Sequence, residues 1–198
     1  MWAIEELGLP YLRQDVGFIY GGNDTPDFLA MNPNGTIPVI QDGENAPVWE
    51  TGAILRYLAD KYGSNEFWPK CAEGRAAIDK WAEWAKINVA LKFTAPVFWR
   101  VVRTAPSKQD SQAIQQALST LNGFLAIAEE QLSKQHFLAS SNLTLADIQF
   151  GHLLYRYFDI KIERACFPNI ECYYARLCER QPFIKHVAVS YEELRVMD

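Results

Sequence analysis

The apolar residues of this chain change their spacing partway along, and that change constrains the fold more than any single motif. Up to about Tyr62, short apolar runs are broken by turn residues: Gly8-Leu9-Pro10, Gly21-Gly22-Asn23-Asp24, Asn32-Pro33-Asn34-Gly35 and Asp42-Gly43. Beyond Ala72 the spacing is helical almost throughout. The pattern predicts an α+β chain of two domains: residues 1–63 mixed, 64–71 a linker holding Pro69, and 72–198 all helical. A chain of 198 residues suffices for this, since folding at that length buries roughly 70% of the unfolded surface.

Within the mixed part, residues 2–7 read as the last turns of a helix closed by Gly8, and 11–16 alternate as a strand would. Thr25-Pro26 opens a short helix, because proline fits the first helical position behind a capping residue. Residues 37–41 and 47–49 form short strands around a turn at Asp42-Gly43, hence a hairpin. A helix over 50–62 carries Ile54, Leu55 and Leu58 on one face and stops at Gly63.

The helical part begins with a long stretch over 72–102 in which Pro96 removes an internal hydrogen bond and predicts a kink. Thr104-Ala105-Pro106-Ser107 then leads into a second long helix with Ile114, Leu118, Leu121, Leu125 and Leu132 on its apolar face. Thr144-Leu145-Ala146-Asp147 has the form of a capping box, and the helix it opens is apolar around most of its circumference, so it belongs at the centre of a core. Pro168 and Pro182 start two shorter helices, near 170–179 and 183–194.

Charge and composition remove several function classes. With 24 acidic and 19 basic residues the formal charge is −5, and no run of Lys and Arg offers the clustered basic surface that phosphate binding needs. No apolar run approaches the ~20 residues of a membrane span, and the first residues lack the basic-then-apolar order of a secretory signal. Cys71, Cys166, Cys172 and Cys178 show no metal-binding spacing and are expected reduced, with Cys172 and Cys178 filling core space. His136, His152 and His186 have no carboxylate or cysteine at ligand spacing, so no metal is expected. These features together predict a cytoplasmic location.

The segment that carries chemistry is Asn32-Pro33-Asn34-Gly35-Thr36-Ile37-Pro38-Val39-Ile40, followed after the hairpin turn by Trp49-Glu50-Thr51-Gly52. Pro38 cannot donate to a ladder, so it marks an edge or a cis bond, and a cis bond would expose the backbone N–H and C=O of Ile37. An extended peptide-like ligand could pair there as an added strand does. Glu50-Thr51 stands at a helix start, where free N–H groups, a hydroxyl and the dipole favour a carboxylate, while the Glu50 acid could hold an ammonium. The ligand that satisfies both ends has an amino-acid head and a peptide backbone.

The runs EELGLPY, NPNGTIPVI, WETGAILRYLADKYG and NLTLAD, taken together, resemble the soluble glutathione S-transferases of the bacterial, theta-like kind, over essentially the whole chain. The resemblance implies a thioredoxin-like first domain and a helical bundle after it. It implies that Ile37 before Pro38 pairs with the cysteinyl part of glutathione, that Glu50 and Thr51 hold the γ-glutamyl end, and that Thr36 adds a weaker contact. It further implies an enzyme joining the glutathione thiolate to small hydrophobic electrophiles, with glutathione as substrate, no metal, and a homodimeric assembly. Phe98 and Arg103 follow Pro96 on the helix that faces the active site in relatives, and they are the candidates for the electrophile site, against the plainer reading of a solvated arginine face.

One departure limits the reading. Relatives begin with a strand and a loop whose Ser, Tyr or Cys lowers the pKa of the glutathione sulfur. Here residues 1–8 match the later turns of the helix after that loop, so the first domain is expected to lack about 15 residues, including its first strand. No catalytic residue is therefore nominated. Two alternatives stay open: a non-catalytic glutathione-binding or protein-interaction member of the fold, and a glutathione-dependent disulfide reductase or peroxidase.

Overall fold

The computed structural model describes all 198 residues. The chain opens with α1 (Trp2–Glu6). Gly8 closes it at φ +64°, where glycine pays no Cβ penalty, and the N–H groups of Gly8 and Leu9 reach back to the carbonyls of Glu5 and Ile4 at 3.0 Å each.

The strand expected over 11–16 is not formed. A strand needs a neighbour for its N–H and C=O groups, and the one sheet is the two-stranded hairpin β1 (Val39–Ile40) and β2 (Val48–Trp49). With no ladder and no covering layer, Leu12 is 87% exposed. The hairpin is antiparallel as expected, though β1 is shorter than 37–41, because Pro38 has no N–H to offer and pairing starts at Val39.

Between these segments, α2 (Pro26–Met31) is capped by the Thr25 hydroxyl, which accepts from the Phe28 N–H at 3.3 Å. After the hairpin comes α3 (Thr51–Tyr62), burying Ile54, Leu55, Leu58 and Ala59. Asp42 in the hairpin turn accepts from Lys61 Nζ, Tyr57 Oη and Tyr62 Oη, each at 2.6 Å, so the turn is tied to the end of α3. Lys61 above all, with the two phenols, holds the Asp42 carboxyl far below the usual carboxylate range. Gly63 ends α3 as expected, for a reason of space: a Cβ there would lie 2.4 Å from the Ala59 carbonyl oxygen.

Residues 72–102 form one rod, α4, in five consecutive pieces: α-helical Ala72–Trp84, π-helical Ala85–Ala90, a turn Leu91–Phe93, π-helical Thr94–Trp99 and a last turn Arg100–Val102. The irregularity expected at Pro96 is the second π-helical stretch, since a widened turn accommodates a residue that lacks an N–H. The first stretch was not foreseen. A short turn (Pro106–Lys108) leads to α5 (Ser111–Leu132), whose cap is Asp110, accepting from the Ala113 N–H at 2.9 Å.

The apolar helix after Thr144 is broken at His152-Leu153 into α6 (Leu145–Gly151) and α7 (Leu154–Asp159). All seven residues of α6 are buried, as a helix apolar all round requires. The capping box is present: Asp147 Oδ2 accepts from the Thr144 N–H at 2.7 Å and from its hydroxyl at 3.0 Å. Then come α8 (Pro168–Cys178) and α9 (Gln181–His186), the latter shorter than the expected 183–194, with a single further turn at Glu192–Leu194. Cys172 is exposed and only Cys178 packs against the core, which corrects the expectation that both fill it. All four cysteines are free thiols.

One continuous core joins the two compositional halves. Trp2 of α1 stands edge-on to Phe183 of α9 at 5.0 Å between ring centroids, and Leu55 and Ala59 of α3 belong to the same apolar cluster as α4 to α9. Beside that contact Arg180 donates to both oxygens of Glu6 at 2.8 and 2.6 Å, and Lys185 donates to Glu5 at 2.8 Å. α1 is thus held on the helical bundle by packing and charge together.

Candidate functional site

Val39 pairs with Trp49 and Ile40 with Val48. The ladder ends at the Val39–Trp49 pair, so Ile37-Pro38, which lead into β1, and Glu50-Thr51, which follow β2, leave the hairpin at the same end. Two segments twelve or more residues apart therefore meet at one end of the hairpin.

The first segment is delivered by a loop built around Asn32, a polar residue only 1% exposed. Its Nδ2 donates to the Thr36 carbonyl at 2.7 Å and to the Thr36 hydroxyl at 3.2 Å, while its Oδ1 accepts from the Asn34 N–H and side-chain amide at 3.1 and 2.9 Å. Asn23 Nδ2 donates to the Gly35 carbonyl at 2.8 Å. With its amide so fully paired, Asn32 can stay buried without a desolvation penalty, and the loop it organises ends in a cis Ile37–Pro38 bond. Ile37 is 59% exposed, and neither its N–H nor its carbonyl enters any turn, loop or side-chain hydrogen bond. It offers a free donor and acceptor at the edge of the hairpin.

The second segment begins with Glu50 at φ +67°, a left-handed conformation that costs a side-chain-bearing residue of order 1–3 kcal/mol. Only the carbonyl of Glu50 enters α3, accepting from the Ile54 N–H at 2.9 Å. The N–H groups of Thr51, Gly52 and Ala53 have no acceptor inside the helix, and no side chain caps them. Thr51 is exposed with its hydroxyl unpaired. A carboxylate placed here meets a hydroxyl, free amides and the positive end of a twelve-residue helix.

Charge around this end is organised from α4. Lys86 Nζ lies 3.5 Å from Glu50 Oε2, reaching over from the first π-helical stretch. Arg56 of α3 is riveted to α4, its Nε 2.8 Å from Asp79 Oδ1 and its Nη2 paired with Glu83. Gly52 makes the close approach possible: a Cβ there would sit 2.9 Å from Arg56 Nη1. Asn32 and Lys86 are the participants that sequence reading missed. Asn32 had a signal in the Asn-Pro-Asn-Gly run, whereas Lys86 has none, since nothing local to residues 85–90 announces Glu50.

Thr36, Ile37, Pro38, Glu50 and Thr51 are thus brought together. Phe98 and Arg103 are not part of that cluster. Phe98 is fully buried, packed on Phe93 at 6.0 Å and Tyr191 at 5.1 Å, so it has no surface left for a ligand, and the expectation that it contacts one is withdrawn. Arg103 is exposed, stacked over Trp99 at 5.0 Å. No group of three or more His, Cys, Asp or Glu is arranged to hold a metal ion, and no helix is long and apolar enough to cross a membrane.

What the arrangement can do is bind an extended molecule with a backbone-like centre and a zwitterionic end. Residues 1–60 match the family model described as the glutathione S-transferase N-terminal domain, and residues 90–181 match that of the C-terminal domain. Over 188 residues the chain is 32% identical to glutathione S-transferase GstB of Escherichia coli K12, covering 94% of this chain and 89% of that one. It also resembles the theta class glutathione S-transferase of Xanthomonas axonopodis pv. citri, solved with glutathione bound, at a TM-score of 0.87 and 37% identity, with 96% of this chain and 90% of that chain covered. A third likeness is to a glutathione S-transferase-I bound with lactoylglutathione: TM-score 0.82, 26% identity, 94% of this chain and 90% of that one.

Proposed function

The chain belongs to the glutathione S-transferase family, and from that premise we propose that it holds glutathione at the end of its hairpin and joins the tripeptide's sulfur to small apolar electrophiles. The observation that carries the reading is the meeting of an unpaired Ile37 backbone with an uncapped helix start at Glu50-Thr51. In this reading the N–H and C=O of Ile37 pair with the cysteinyl unit, as a third strand would. The γ-glutamyl carboxylate accepts from the Thr51 hydroxyl and the free N–H groups of α3, and its ammonium replaces Lys86 beside Glu50. Thr36, its own polar atoms engaged by Asn32, shapes the loop and adds contact.

Held at both ends, the thiol-bearing residue is presented in one orientation, which lowers the entropic part of the barrier to attack. In a substitution on an aryl halide the thiol proton leaves to solvent, the sulfur pair forms the S–C bond, and halide departs with the pair of the bond that breaks. No residue of the chain is assigned as activator of the sulfur. The electrophile is assigned to the face of α4 around Arg103. Residues 1–63 are read as the glutathione-binding domain and 72–198 as the helical one, joined by 64–71, in a cytoplasmic homodimer whose mass light scattering would measure.

The test is calorimetric titration with glutathione alongside a conjugation assay on 1-chloro-2,4-dinitrobenzene. Saturable binding that weakens at least tenfold in Thr51→Ala, with turnover above the uncatalysed rate, is the expected result. Absence of glutathione binding to the folded protein would overturn it.

A further inference from the structure

The chain has ten arginines, and eight of them have a hydrogen-bond or ion-pair partner within it. Arg103 and Arg156 have none. Arg156, on α7, is half-buried with its guanidinium 4.9 Å from the Phe98 ring centroid, and Arg103, directly after the end of α4, lies 5.0 Å over Trp99. Each cation rests on an aromatic face, and the two lie close enough for the charge of Arg103 to act on Arg156. An unpaired guanidinium taken partly out of water is unfavourable, and a second positive charge nearby makes it more so. Burial above all presses the Arg156 pKa below its ordinary value; the nearby Tyr191 opposes that, and the charge of Arg103 adds to it.

No acid of the surroundings compensates. Asp159 of α7 accepts the Tyr191 hydroxyl, Glu192 forms a bidentate pair with Arg195 at 2.7 and 3.0 Å, and Asp198 is engaged by Ser107. The face that leads to Arg103 along α4 is apolar and uncovered, with Leu91 64% and Trp99 43% exposed. Cations without a counter-ion at the end of an apolar stripe describe a receptor for an apolar body with an anionic end.

We propose that Arg103 and Arg156 form a subsite for a carboxylate or sulfonate carried by the electrophile, with Trp99 stacking on its ring. The assignment rests on the transferase reading, and it changes the substrate class from neutral apolar electrophiles to aromatic ones bearing a negative charge. The guanidinium forks supply parallel N–H donors to the anion, and the aromatic rings beneath keep them oriented.

The experiment pairs 4-chloro-3-nitrobenzoate with its neutral analogue 4-chloro-3-nitrobenzamide, which share shape and leaving group. Each is titrated calorimetrically without glutathione and then used as substrate with it. The acid is expected to bind about tenfold tighter than the amide and to show a similar advantage in kcat/KM. That ratio should fall towards one in Arg103→Gln and in Arg156→Gln, and recover in part in Arg156→Lys. Arg103 is exposed, so its variant reports even if Arg156→Gln fails to fold. Equal binding of acid and amide would overturn the proposal, as would a binding preference with none in kcat/KM. Failure to turn over either compound would remove the transferase reading, while the titrations alone would still decide whether the arginines hold an anion.

Discussion

Glu50 follows directly on Trp49, the residue that pairs with Val39 at the end of the hairpin, and does so at φ +67°. A residue with a side chain is held in a conformation that glycine would adopt without strain. Glu50→Gly should therefore leave the chain as stable as before or up to about 1 kcal/mol more stable, while glutathione binding weakens at least tenfold through loss of the carboxylate. Urea unfolding and calorimetric titration on the same samples check both halves. A variant that lost stability and kept its affinity would show that Glu50 serves the fold and not the ligand.

Asn32 gives the complementary case, a residue that should matter to the ligand without touching it. Asn32→Ala removes the bonds to Thr36 and Asn34 and leaves their groups seeking other partners. The expected cost is about 1–3 kcal/mol of stability together with weaker glutathione binding, because the loop no longer delivers Ile37 in one position. Chemical denaturation measures the first effect. For the second, an unchanged dissociation constant would show that the 36–38 segment is positioned by the hairpin alone.

How much of this was legible depended on how local the cause was. The Thr144 capping box, the Pro26 start of α2 and the Asp42-Gly43 turn depend on neighbours within a few residues, and all are found where the sequence puts them. The segment over 11–16 alternates like a strand and is none, because strand formation depends on a partner elsewhere in the chain. The same holds for the site. Ile37, Pro38, Glu50 and Thr51 announce themselves through proline and helix-start chemistry, but Lys86 meets Glu50 only once α3 is locked to α4 by Arg56. Phe98 was misplaced because helical spacing alone does not tell a core aromatic from one that lines a cleft.

The clasp between α1 and α9 should make stability depend on acid. Glu5 accepts from Lys185 and is paired with His186, and Lys185 first, then His186, hold its carboxyl below the ordinary 4.5. A depressed carboxylate contributes stability that is complete above its unfolded value and is lost as pH falls through the folded one. Glu5→Gln should accordingly melt lower than the parent at pH 7, and the gap should close as pH drops below about 4. Thermal melts of both chains across that range decide it. A gap that stayed constant down to pH 2 would mean that the Glu5 charge contributes nothing.

The heaviest single penalty should fall on Asp147. Its carboxylate is fully buried at the start of α6, and it gathers four donors: the Leu138 N–H at 2.8 Å and the Tyr173 hydroxyl at 2.9 Å on one oxygen, the Thr144 N–H and hydroxyl on the other. Burial pushes the carboxyl above its ordinary value, and the backbone donors of Leu138 and Thr144 offset only part of that rise. Asp147→Ala strands those buried donors at about 1–3 kcal/mol each and opens a cavity, so a loss of roughly 4 kcal/mol or more is expected, a large part of what a domain possesses. Asp147→Asn should recover little, because its amide N–H₂ must face donors on one side. Tyr173→Phe removes a single donor and leaves the carboxylate three others, so about 1 kcal/mol is expected there. Urea denaturation of the three variants orders them, and a finding that Asp147→Ala costs no more than Tyr173→Phe would show that the α6 start is held by apolar packing instead of by its capping network.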